Sequence, residues 1–176
     1  MSLSTTEFNP ESCSVPSNSS NRIEVACHED VENEPLWLAK IEPFLEGVLK
    51  KLGLSGWELS ILFCGDGFIQ ELNKNYRNLD MPTDVLSFES GSVYRDEEDV
   101  QWFSAGDIVI SLDTLVKNAG EFDVSEDQEL KRLLIHGILH LSGMDHSDNS
   151  PDQPMLQLQE VILKDFASKN DIIIEK

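Results

Sequence analysis

Hydrophobic and polar positions begin to alternate at Arg22, where Ile23, Val25 and Cys27 are separated by Glu24 and Ala26, the period of a half-buried strand. Upstream, residues 1–21 are rich in Ser, Asn, Thr and Pro and carry few large apolar side chains. They have little surface to bury against the cost of ordering, so a flexible extension is expected there, with the folded domain over residues 22–176. After the acidic run Glu29 to Glu34, Leu36, Trp37, Leu38, Ile41, Leu45, Val48, Leu49 and Leu52 recur at helical spacing up to Gly53. Pro43 should kink or divide that helix. Trp57 to Phe63 reads as a second strand, and Asp66 as the cap of a helix carrying Phe68, Ile69, Leu72 and Tyr76. Val85 to Phe88 and Asp107 to Ser111 read as short strands separated by an acidic loop at Asp96 to Asp99.

The strongest periodicity lies further on. Ser125 and Gln128 have capping-box spacing, and Leu130, Leu133, Leu134, Gly137, Ile138 and Leu141 form one helical stripe, which predicts a helix from about Glu126 to Leu141. Ile135 and Leu139 fall on its other side, so its second half is apolar nearly all round and should be the buried central helix. Gly143 is placed to stop it. A final helix with Met155, Leu158, Ile162 and Phe166 follows Pro151 and Pro154, and Asp171 to Glu175 ends the chain as a strand or a tail. Helices and strands alternate irregularly. The expected architecture is α/β (α+β), a single domain with a small mixed sheet packed with about five helices.

Composition narrows the class of protein. Among 176 residues, 13 are basic and 33 acidic, a formal charge of −20. So negative a surface argues against unselective coating of DNA or RNA and requires a local cationic patch for any RNA contact. No apolar run approaches the roughly 20 residues of a membrane span, and the first cation is Arg22, unlike a secretory leader; a cytoplasmic protein is expected. Cys13, Cys27 and Cys64 are odd in number and lack a CxxC arrangement, so reduced, partly buried thiols are expected rather than a disulfide framework or a cysteine zinc site.

Candidate chemistry is concentrated in His136-Gly-Ile-Leu-His140-Leu-Ser-Gly-Met-Asp-His146. His136 and His140 are four apart on one helix face, which points both imidazoles the same way. Gly143 permits the chain to reverse and bring His146 back as a third ligand. Three neutral imidazoles suit one zinc ion, or nickel or another divalent transition metal. The bland alternative, three histidines each with its own hydrogen-bond partner, would cost roughly 1–3 kcal/mol for each one left unsatisfied beside a buried helix. Three protein ligands leave a fourth position open, the mark of catalytic rather than structural zinc. The spacing also matches the metzincin proteases, except that Gly137 stands where their general-base glutamate would be, so a proteolytic mechanism of that kind loses its base.

Taken with Leu72-Asn73, Tyr76-Arg77, Pro82-Thr83-Asp84-Val85-Leu86-Ser87-Phe88 and Gly106-Asp107-Ile108, the histidine segment resembles the YbeY-type rRNA maturation factors, metal-dependent endoribonucleases of bacteria. The resemblance spans the chain from about residue 22 and leaves residues 1–21 outside. It implies a single α/β domain with a small mixed sheet, a zinc-type site on the three histidines, and processing of ribosomal RNA, notably the 3′ end of the small-subunit RNA. It also implies a link to ribosome quality control and assembly partners.

Arg77 matches a family arginine near the metal, and its guanidinium suits holding a phosphate during phosphodiester cleavage; the alternative is a surface cation paired with Glu71 or Asp80. Lys74, Lys131 and Arg132 could extend the patch. Asp107 and Asp145 are candidates to receive the free ring N–H of a ligating histidine, or else to cap turns. Thr83 and Asp84 read as turn formers that hold the loop of Arg77. The reading is a metal-dependent single-strand endoribonuclease with no general base named by the sequence. Its competitors are a metzincin-like metalloprotease and a non-catalytic assembly factor whose metal pins the last two helices.

Overall fold

In the computed structural model, which describes residues 20–167 and 171–173, the strands Arg22–Cys27 (β1), Trp57–Cys64 (β2), Val85–Arg95 (β3) and Gln101–Ser111 (β4) form one sheet. The order is β1-β2-β4-β3, with β1, β2 and β4 parallel and β3 antiparallel to β4. The helices are Ile41–Leu52 (α1), Asp66–Arg77 (α2), Leu112–Phe122 (α3), Glu126–Leu141 (α4) and Pro154–Phe166 (α5). The mixed sheet and the helices expected from the hydrophobic pattern are present. None of the helices among the described residues is long and apolar enough to cross a membrane.

Strand alternation divides the interior in two. Trp57, Leu59, Ile61 and Phe63 of β2 enter the main core with α1, α4 and α5. Leu62 and Cys64 face the other side, where Ile69 of α2 covers Leu86 and Val109 in a smaller cluster. α4 touches β3, β4, α1, α3 and α5, the central position that its all-round apolar second half requires. Cys27 and Cys64 are free thiols, and burial pushes the Cys64 thiol up to about 12, so it stays protonated and inert. Cys13 and most of the expected extension lie outside the described residues, but Asn21 is already tied in, accepting from Trp57 N at 3.0 Å and donating to Glu46 at 2.9 Å.

Several elements differ from the hydrophobic pattern for local reasons. Pro43 divides rather than kinks: α1 begins at Ile41, so Pro43 falls in the first turn, where a missing N–H costs nothing, and Leu38–Lys40 forms a separate 3-10 turn. Asp66 is the first residue of α2 and not its cap. Its carboxylate accepts from Ser111 Oγ and Thr114 Oγ1, both at 2.6 Å, and so ties α2 to the start of α3. β3 and β4 are long arms of a hairpin rather than short strands: the outer half of β3 lies at the surface and shows no core alternation, while the outer half of β4 buries Trp102, Phe103 and Ala105 without a strict period of two. Gly106, at φ +134°, makes that pairing feasible, since a Cβ there would lie 2.0 Å from Phe88 O. α3 is a helix that the pattern does not single out, although Ser111 caps it by accepting from Thr114 N at 3.1 Å. At the C-terminus Asp171–Ile173 forms no strand, and residues 174–176 lie outside the described residues.

Candidate metal centre

α4 positions the site. Ser125 caps it, accepting from Gln128 N at 3.1 Å, and its buried face is seated close to the sheet at Gly137. A Cβ on Gly137 would lie 2.6 Å from Ile108 Cδ1 and 2.9 Å from Cγ2, so a side chain there collides with β4. The missing glutamate of the metzincin pattern is thus a packing requirement: position 137 faces the sheet and has no room for a base. His136 and His140 flank that glycine, one turn apart on the same helix. Gly143, at φ +85°, reverses the chain, and Met144 N returns to Leu139 O at 3.1 Å.

The reversal brings His146 onto the other two rings, with centroids 5.1 Å from His136 and 5.3 Å from His140. One nitrogen from each imidazole lies within 4.8 Å of the other two, a group able to hold a metal ion. Each Nδ1 is taken. His136 Nδ1 donates to Gln159 Oε1 at 2.9 Å, His140 Nδ1 to Met144 O at 3.1 Å, and His146 Nδ1 to Asp148 O at 3.0 Å. Three carbonyl-type acceptors therefore put the proton of each neutral ring on Nδ1 and leave every Nε2 as a bare lone pair. The Nε2 atoms of His136 and His140 are 3.0 Å apart. Two lone pairs so close repel unless a cation lies between them; ligands at ~2.0–2.1 Å on a tetrahedral zinc would stand a little over 3 Å apart. Burial, the largest cause, pushes His136 down to about 4 and also lowers His140, where the charges of His146 and Arg77 add to it. Both rings are neutral at pH 7 and ready to ligate.

The imidazoles open onto a cleft of about 730 Å³. Arg77, at the end of α2, lines it, and no ion pair or hydrogen bond holds its guanidinium among the described residues. The anticipated partner Asp80 instead accepts from Lys74 at 2.7 Å, which removes Lys74 from the patch. Lys131 is 1% exposed and bound to Asp127 at 2.6 Å, so it anchors the C-terminal segment and contributes nothing to the cleft. Arg132 does line the cleft, paired with the buried Glu129. Asp84 accepts from Val85 N at 2.8 Å and from Asn118 at 3.2 Å, holding the loop between Arg77 and β3 as a turn former would.

Of the two readings open for Asp107 and Asp145, orienting a histidine or capping a turn, the structure places Asp107 away from the histidines and Asp145 in the turn. Asp107 precedes Ile108 on β4; since Ile108 faces α4, alternation turns Asp107 to the opposite face, where it accepts from Ser60 Oγ and cannot reach a histidine. Asp145 lies 3.8 Å from His140 Nδ1, and its carboxylate accepts from His146 N at 2.8 Å, so it shapes the turn while the neighbouring Met144 carbonyl orients His140. Gln159 was not among the sequence candidates. It interrupts the apolar stripe Met155, Ile162 and Leu163 yet is 5% exposed, and a polar residue on the buried face of α5 is the signal that marks it.

A family model described as "Endoribonuclease YbeY" matches residues 23–167. A Treponema denticola protein named Endoribonuclease YbeY is 60% identical over 127 residues, covering 72% of this chain and 82% of that protein. One of the same name from Treponema pallidum is 50% identical over 143 residues, 81% of this chain and 88% of that one. The solution structure of TM1509 from Thermotoga maritima superposes with a TM-score of 0.57 at 27% identity, over 87% of this chain and 97% of that one.

Proposed function

Since the chain belongs to the endoribonuclease YbeY family, we propose that it is a metal-dependent endoribonuclease that cleaves single-stranded segments of ribosomal RNA, including the 3′ end of the small-subunit RNA, in ribosome maturation and quality control. The observation that carries the metal-dependent reading is the tautomer lock. His136, His140 and His146 each give Nδ1–H to a fixed acceptor, and their three Nε2 lone pairs converge. A neutral three-nitrogen set of this kind fits zinc or a neighbouring transition metal. When bound, such an ion supplies Lewis acidity towards a phosphoryl oxygen and lowers the pKa of a coordinated water.

The chain's own residues do the rest. Arg77, which lines the cleft and has no partner among the described residues, binds the scissile phosphate and offsets the charge that develops on its oxygens. Gln159, Met144 and Asp148 hold the imidazoles in the ligating orientation, so little reorganisation accompanies metal uptake. Against the protease reading, position 137 has no space for the base that mechanism needs. Ribosomal RNA arrives at a surface of charge −20, so delivery by ribosomal or assembly partners in the cytoplasm fits the charge balance.

The test is a chelated and reloaded preparation assayed on structured RNA and on casein beside Arg77→Ala and His140→Ala purified in parallel. RNA cleavage that returns with metal and is lost in both variants is expected. Casein cleavage would favour the protease, and a metal-dependent melting temperature without cleavage of either substrate would favour an assembly factor.

A further inference from the structure

The hydrophobic stripe of α3 runs Leu115, Ala119, Phe122, and its first two members are buried. Phe122 continues the stripe beyond the core and is 59% exposed, lining the same cleft as the histidines. Its place is firm: it closes α3, and the left-handed Asp123 (φ 55°) that caps the helix donates its backbone N–H to Ala119 O. Arg132 lines the same cleft and lies one turn before His136, roughly 6 Å along α4. Arg132 keeps one edge turned to Glu129 and Glu160, while its Nη2 has no partner among the described residues. The chain has four arginines, and two of them, Arg77 and Arg132, line this one cleft in a protein of charge −20. Arg77 closes α2 and Arg132 stands on α4, so the two guanidiniums reach the cleft of the imidazoles from different helices.

We propose that Phe122 and Arg132 form a nucleotide subsite flanking the metal centre, in which the Phe122 ring stacks an unpaired base and Arg132 holds the adjoining phosphate. The inference rests on the nuclease reading above and explains its preference for single strands: a duplex keeps its bases stacked on one another and cannot offer a face to Phe122. Base identity is not read, because every base has a stacking face.

The test is fluorescence anisotropy of a labelled, unstructured, phosphorothioate-linked RNA octamer on the zinc-loaded full chain. Phe122→Ala should weaken binding about 5- to 100-fold, the range for one lost stacked base, and Phe122→Trp should restore it with quenching of the new indole. An octamer lacking all bases should bind the unaltered chain and Phe122→Ala equally, which a merely structural role for Phe122 would not produce. Arg132→Gln, made together with Glu129→Gln so that no carboxylate is left buried and unpaired, should weaken binding and reduce the salt slope by about one. If the unaltered chain binds and Phe122→Ala matches it, the subsite is refuted while the nuclease reading stands. If the unaltered chain does not bind RNA, both fall.

Discussion

Adding one methyl group to a helical glycine should have opposite consequences at two places in this chain. In α3, Gly120 is exposed and a Cβ there meets nothing within 4 Å, so Gly120→Ala should stabilise by about 0.5–1 kcal/mol through helix propensity and a less free unfolded chain. Gly137 in α4 gains the same propensity. Its Cβ, however, would meet three Ile108 carbons at 2.6–3.0 Å, and Ile108 is fully buried. Overpacking of this kind costs about 1–3 kcal/mol. The two alanine variants should therefore differ by about 1–3 kcal/mol, with Gly137→Ala neutral to destabilising. Relief is specific: Ile108→Val removes the closest carbon, so the cost of Gly137→Ala should shrink in that background, a coupling read from the double-mutant cycle. Because His136 is adjacent to Gly137 and His140 three residues on, Gly137→Ala should also weaken zinc binding, measured by competition with a chromophoric chelator. Guanidinium denaturation of metal-free protein, with unchanged m, gives the free energies. Equal stabilisation by both alanines, with zinc affinity intact, would show that close helix-to-sheet contact at position 137 does not set the geometry of the site.

Removing the orienting amide by Gln159→Leu should lower zinc affinity about 10- to 100-fold while the apo protein still folds, checked by the same chelator competition and by circular dichroism. In metal-free protein, His136 takes a proton near pH 4 when folded but near 6.5 when unfolded, so stability is full above about pH 6.5 and falls as pH drops through that window. Between pH 6.5 and 5 the loss should be on the order of 2 kcal/mol, and His136→Gln should flatten that limb of the curve. Asp127→Ala should cost about 3–5 kcal/mol in denaturation, since it strips the buried Lys131 ammonium of its 2.6 Å partner and leaves the N–H groups of Ile172 and Ile173 without their acceptor.

Where the information was local, sequence alone determined the outcome. The capped helix Glu126–Leu141, the glycine that ends it and the two imidazoles on its face follow from spacing within one segment, because a helix has a fixed period and a left-handed stop needs a particular residue. The return of His146 was legible for the same reason. Folding decided whatever depends on two distant segments meeting. Asp107 and Ile108 are neighbours in the chain, yet which of them faced α4 awaited the register of β4 in the sheet, and it was Ile108. The hydrogen bonds on the rings came from Gln159 on another helix and from backbone carbonyls, whose direction no residue type encodes. The cleft joining Arg77, Phe122 and Arg132 draws on three helices, and only the closing of α2 and α3 around α4 brings their ends together.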